Sequence, residues 1–131
     1  PKHAEVAVRN IARANLTNIV DVRAGKAIDT LAKLYKEDSP PYDFIFIDAD
    51  KPSNPDYLKW SLKLSRPGTV IIADNVVRNG EVANSNSLDP KVQGVRKFCE
   101  LISSEPRLSS TAIQTVGSKG YDGFAMAIVV R

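Results

Sequence analysis

Two uninterrupted apolar runs, Phe44-Ile45-Phe46-Ile47 and Val70-Ile71-Ile72-Ala73, each stop at an acid: Asp48-Ala49-Asp50-Lys51 follows the first and Asp74-Asn75 the second. Four apolar residues in a row, without alternation, are what a strand buried on both faces of a parallel sheet requires. The first run therefore predicts a central strand. Between the two, Pro52 and Pro55 break the chain, and Tyr57, Leu58, Trp60, Leu62 and Leu64 predict a helix before Arg66-Pro67-Gly68 turns the chain into the second run. Strand, helix and strand in that order form a parallel crossover unit.

The rest of the chain extends the alternation. Ala4, Ala7, Val8, Ile11 and Ala12 share one face of a helix predicted over residues 2–15, and residues 19–22 (Ile-Val-Asp-Val) predict a short strand closed by Gly25. Ile28, Leu31 and Leu34 predict a second helix ending near Glu37, with a loop over residues 38–41. Residues 78–87 are polar and rich in Asn and Ser, a surface loop beyond a strand end and a candidate lid. Asp89 as N-cap and Pro90 at the first helical position open a helix whose Val92, Val95, Phe98, Cys99 and Ile102 share a face. Two β-rich runs, residues 109–116 and 124–130, are joined through Gly117, Gly120 and Gly123 and predict an antiparallel pair. The expected architecture is a doubly wound α/β sheet with an antiparallel hairpin at one edge.

Composition narrows the chemistry. A chain of 131 residues with 43% hydrophobic and 25% charged residues is one domain's worth of ordinary globular sequence. No apolar run approaches the roughly 18 residues that span a bilayer, and residues 1–4 carry no signal-peptide-like apolar stretch, so the expectation is a cytoplasmic protein without a membrane partner. A single Cys, Cys99, precludes an internal disulfide framework, and with His3 as the only His the usual Cys/His zinc sites cannot be assembled. Cys99 reads as core, His3 as surface, Tyr57 and Trp60 as packing residues. The Gly117, Gly120, Gly123 spacing joins two strands without opening a helix, so it reads as a turn and not as a nucleotide loop. A net charge of +3 with both signs interspersed does not favour a nucleic-acid partner.

The two strand ends are the chemical feature. In open α/β sheets ligands bind beyond the carboxyl ends of the strands. If the two runs are neighbours, Asp48, Asp74 and Asn75 converge as three oxygen donors, which suits a hard cation such as Mg²⁺, Mn²⁺ or Ca²⁺. The alternative is that Asp50 and Asp74 cap the helices or turns that follow.

These segments also resemble those of a known family. Tyr42-Asp43-Phe44-Ile45-Phe46-Ile47-Asp48-Ala49-Asp50-Lys51 and Arg66-Pro67-Gly68-Thr69-Val70-Ile71-Ile72-Ala73-Asp74-Asn75-Val76 are similar to the fourth- and fifth-strand signatures of the cation-dependent, S-adenosylmethionine-dependent O-methyltransferases, the group containing catechol and caffeoyl-coenzyme A O-methyltransferases. Residues 1–10, 22–31 and 93–107 resemble further segments of that family, so nearly the whole chain is covered. The resemblance implies a Rossmann-like, class I methyltransferase sheet. It implies Asp48, Asp74 and Asn75 as metal ligands and Ala27, Asp48 and Asp50 as contacts to S-adenosylmethionine. Lys51 would be the catalytic lysine working with Asp48, Asn79 and Arg78 would face the substrate, and the protein would be a homodimer. The implied reaction is methyl transfer to a hydroxyl of a catechol-like small molecule, assisted by the cation. A hydroxylated tRNA base is the second acceptor considered, and an inactive copy serving as an interaction module is the third reading.

Two departures matter. Arg78 stands where the family's loop usually carries an aromatic residue. The family's glycine-containing first strand and the acid that holds the cofactor ribose correspond to sequence upstream of Pro1, so the chain reads as N-terminally truncated, a sheet lacking its first two strands. The family's strand order would then leave a gap of roughly 10 Å beside the first apolar run. The expectation is a chain of marginal stability, or prone to aggregate, unless further sequence or another chain fills that gap.

Overall fold

The computed structural model describes residues 2–39, 41–118 and 120–131. The expected loop over residues 38–41 and the segment beginning at Pro1 lie partly outside these. The first apolar run lies in β1 (Tyr42–Ile47) and the second in β2 (Ser65–Asp74), and the two pair in parallel with Phe44 opposite Val70 and Ile47 opposite Ala73. The helix that crosses between them, α3 (Asn54–Lys63), begins with Pro55 in its first turn, where a missing N–H costs nothing. Upstream lie α1 (Lys2–Arg13) and α2 (Ala27–Lys36). Downstream, α4 (Pro90–Ser104) is capped by Asp89, whose Oδ1 accepts from the Lys91 amide at 2.8 Å. The hairpin of β3 (Leu108–Gly117) and β4 (Gly120–Val129) then closes the chain. β4 docks antiparallel against β2, so the sheet order is β1-β2-β4-β3.

The core lies on one face of this sheet. Ile71, Ala73, Ala125, Ala127 and Val129 point toward α3 and α4, where Leu58, Val95, Phe98 and Ile102 meet them, and Phe98 and Val95 are fully enclosed. Period-two alternation in β4 follows: Ala125, Ala127 and Val129 are buried and Met126 and Ile128 are not.

Three expectations need correction. β1 is an edge strand, as the gap expected beside the first apolar run implies and not the central strand that the run alone predicts, and it is not covered on both faces: Phe44 and Phe46 are 55% and 56% exposed. Among the described residues no strand pairs with its outer edge and no helix covers its second face, so an apolar run that suits two-sided burial receives only one side. Residues 19–22 form no strand; the Ile19 and Val20 amides instead donate to the Leu16 carbonyl at 3.0 Å. A strand exists only with a partner for its backbone, and among the described residues none pairs with this segment. Arg66, Pro67 and Gly68 fall within β2 and not in a preceding turn, because the register slips between Tyr42 and Phe44 and absorbs them as an irregularity. Gly68 takes a φ of 95° there, and the Thr69 hydroxyl donates to the Tyr42 carbonyl at 2.6 Å to hold the irregularity in place. Among the described residues no helix is long and apolar enough to cross a membrane.

Candidate functional site

Because Ile47 pairs with Ala73 in parallel register, Asp48 and Asp74 occupy equivalent positions just past and at the ends of adjacent strands, which run roughly 4.8 Å apart. Asn75 follows Asp74 in the left-handed region, φ 56°, and its amide donates to the Asp74 carboxylate at 2.8 Å. Asn tolerates this conformation better than most side chains.

Lys51 lies beside Asp48. Its residue is 7% exposed, and its Nζ sits 3.2 Å from Asp48 Oδ1. A buried ammonium requires a partner of this kind. The 3₁₀ turn Lys51–Ser53 carries it, with Pro52 fixing the backbone. α4 presses directly on this turn: a Cβ on Gly94 would lie 2.3 Å from the Lys51 carbonyl oxygen. Only glycine allows that approach, and the sequence pattern, which marked the apolar face of α4, gave no sign of it.

Asp50 accepts a hydrogen bond of 2.5 Å from the Tyr57 hydroxyl. Hydrogen bonds from Ser53 and then Tyr57 hold the Asp50 carboxyl below its ordinary value. Burial, and next the hydrogen bond to Asp50, push the Tyr57 phenol up. Tyr57 thus does more than pack, although its ring is buried as expected. A pair seven residues apart across a turn and a helix start has no periodicity signal by which to find it.

Ala27, at the start of α2, faces these groups across two clefts. One, of about 300 Å³, is lined by Ala27, Asp48 and Ala49 together with Arg23, Gly25 and the Tyr57 ring; the other, of about 480 Å³, by Ala27, Asp50 and Ser53. The structure therefore brings Ala27, Asp48 and Asp50 together around one concave surface. Arg78 and Asn79 lie apart from that surface, in the loop beyond β2, both with left-handed backbones (φ 56° and 54°). Arg78 is half-buried, with its Nε enclosed and without a hydrogen-bond partner; Asn79 is exposed.

The donors at the strand ends are all oxygen: two carboxylates and one amide. Among the described residues no three His, Cys, Asp or Glu side chains gather closely enough to hold a metal by themselves, so any cation here depends on Asn75 as well as the two acids. An all-oxygen set of this composition fits a hard divalent cation and leaves coordination positions for water or a chelating ligand. Cys99, half-buried on α4 with its thiol pushed up by burial, stands with the core as expected.

Comparison with known proteins identifies a family. The O-methyltransferase family model matches residues 1–127. A catechol O-methyltransferase of Niastella koreensis is 54% identical over 129 residues, covering 98% of this chain and 58% of that protein. The crystal structure of an O-methyltransferase from Bacillus cereus in complex with SAH superposes with a TM-score of 0.94 at 64% identity, covering 98% of this chain and 58% of that one. The O-methyltransferase TomG from Streptomyces achromogenes, in complex with SAM, superposes with a TM-score of 0.93 at 44% identity, covering 98% and 57%. The chain spans a little over half the length of these relatives.

Proposed function

The chain belongs to the O-methyltransferase family, and on that premise we propose that it acts in transferring the methyl group of S-adenosylmethionine to a hydroxyl of a catechol-like small molecule, with a divalent cation at the strand ends. The observation that carries this reading is the parallel register that puts Asp48 level with Asp74-Asn75, with the buried Lys51 ammonium 3.2 Å from Asp48. When bound, the cation supplies Lewis acidity that lowers the acceptor hydroxyl's pKa, and S-adenosylmethionine supplies the methyl group. Asp48, Asp74 and Asn75 are the residues that would hold a cation such as Mg²⁺, Mn²⁺ or Ca²⁺.

Ala27, Asp48 and Asp50 line the clefts suited to the cofactor, and Tyr57 fixes the direction of the Asp50 carboxylate. Lys51, in the turn beyond β1 with its Nζ beside Asp48, takes or stabilises the hydroxyl proton. Asn79 and Arg78 face the acceptor from the loop beyond β2. Positioning and fixed charge do most of the work in such a site. A homodimer belongs to the same reading by family resemblance, and a cytoplasmic setting is proposed beside it.

The test is calorimetric. S-adenosylmethionine is titrated into the full chain with Mg²⁺ present, then catechol, and both are repeated with Asp74→Ala. The expected result is catechol binding that needs Mg²⁺ and is lost in the variant, with S-adenosylmethionine binding retained. Catechol binding or methylation that survives both chelation and Asp74→Ala overturns the proposal.

A further inference from the structure

The loop that follows Asn75 is held in a conformation that the chain does not favour on its own. Arg78, Asn79 and Gly80 are three successive left-handed residues, with φ of 56°, 54° and 85°. For a non-glycine residue this region is strained, and it persists only where surrounding structure imposes it.

The surroundings that impose it come from the start of β4. Asp122 Oδ1 accepts three backbone N–H bonds, from Val77, Arg78 and Gly123, each at 3.0 Å. One step away, the Val76 amide donates to the Gly123 carbonyl at 3.0 Å, which carries the β2–β4 pairing past its last register pair, Asp74 with Phe124. The neighbouring Tyr121 hydroxyl donates to the Asn79 carbonyl at 2.7 Å. Gly80 and Gly123 make room for these contacts. A Cβ on Gly80 would lie 2.7 Å from the Tyr121 hydroxyl, and one on Gly123 would lie 2.4 Å from the Ile113 carbonyl oxygen and 2.8 Å from a Val77 methyl. A carboxylate accepting several backbone N–H groups is a charge-assisted and geometrically restrictive anchor.

From these contacts we propose that Asp122, assisted by Tyr121, is the positioning residue of the acceptor side of the site: it sets the loop that begins at Asn75 and presents Arg78 and Asn79. Asp122 touches neither reacting group. It acts through backbone placement, and the cofactor clefts around Ala27, Asp48 and Asp50 do not include it. The inference rests on the functional reading above for the identity of the acceptor, and on the loop geometry alone for the anchoring.

The experiment uses the full chain and three variants, Asp122→Ala, Asp122→Asn and Tyr121→Phe, with two independent readouts. The first is amide hydrogen exchange at Val77 and Arg78. The second compares catechol KM and Mn²⁺ affinity with S-adenosylmethionine Kd. Asp122→Ala is expected to speed exchange at both amides by about 100-fold and to raise catechol KM by about tenfold, with S-adenosylmethionine Kd within about twofold of the parent. Asp122→Asn, which retains the acceptor oxygen but not the charge, is expected to recover most of the loss. Tyr121→Phe, at an exposed ring, is expected to raise catechol KM by about threefold without moving the melting temperature. Unchanged exchange at Val77 and Arg78 in folded Asp122→Ala overturns the anchor, and a parallel loss of S-adenosylmethionine affinity overturns its restriction to the acceptor side. If Asp122→Ala does not fold, Tyr121→Phe decides: a raised catechol KM with S-adenosylmethionine Kd unchanged supports the anchoring of the loop from β4, and an unchanged KM overturns it. If the parent methylates no catechol, the functional reading has failed and exchange still decides the anchor.

Discussion

Gly94→Ala is the substitution with the sharpest expected outcome, because two effects of opposite sign meet at one atom. Within a helix, Ala for Gly is worth about 1 kcal/mol in favour of the variant. At this position the new Cβ would lie 2.3 Å from the Lys51 carbonyl oxygen, 2.6 Å from Pro52 Cα and 2.8 Å from the Lys51 carbonyl carbon. Ordinary contact begins at 3.4 Å, so α4 or the Lys51–Ser53 turn has to move by about 1 Å. All three opposing atoms are main chain and none can rotate aside. Overpacking against backbone costs about 3 kcal/mol, the upper end of the usual range, so the net is about 2 kcal/mol of destabilisation. For a chain of this size that is a fall in Tm of about 6 °C. Displacing Lys51 by about 1 Å from its 3.2 Å contact with Asp48 is also expected to cost about 100-fold in methyl transfer. The assay is a thermal melt paired with turnover, with Gly117→Ala as control, since a Cβ there meets nothing within 4 Å. A Gly94→Ala protein that melts at or above the parent and turns over normally would refute the reasoning, for the helix propensity would then have outweighed the clash.

Tyr57→Phe removes the 2.5 Å donor to Asp50 while keeping the buried ring, so S-adenosylmethionine Kd is expected to rise about tenfold by calorimetry with Mn²⁺ affinity unchanged. Glu105 is held down to about 2 by the Arg107 side chain, which donates to both its carboxylate oxygens at 2.8 and 2.9 Å. A carboxyl lowered in the folded state stabilises in full above its unfolded value of 4.5 and ceases to do so as pH falls to about 2. With the Arg107 side chain 47% exposed, solvent screening leaves about 1 kcal/mol. Melts of Glu105→Gln against the parent should therefore differ at pH 6 and converge near pH 2; a constant difference across that window would count against the ion pair.

The features legible in the sequence are those determined by neighbours along the chain. The Asp89 cap, the proline-opened α3 and α4, the two apolar strands and the glycine-joined hairpin all carry their signals within a few residues. Residues 19–22 and the burial of β1 could not be read this way: an apolar pattern records what a segment could bury, whereas a strand needs a partner and a face needs a cover. The site divides likewise. Acids at the ends of two apolar runs pointed to the strand ends before any register was known. The fit of Gly94 to the Lys51 backbone and the Tyr57 bond to Asp50 depend on how helices settle against turns, and no residue spacing encodes that.

The sheet order also determines when each half of the site can form. The clefts around Ala27 are lined by residues 23–61, so closing them takes only the short loops of α2, β1 and α3. The Val77 contact with Asp122 joins positions 45 residues apart, and it must wait for the β3–β4 hairpin to dock on β2. Contacts of long sequence separation carry the larger loop-closure entropy and are expected late in folding. On this ordering a partly folded chain closes the clefts around Ala27 before the loop beyond β2 is anchored, and gentle denaturation is expected to release that loop first.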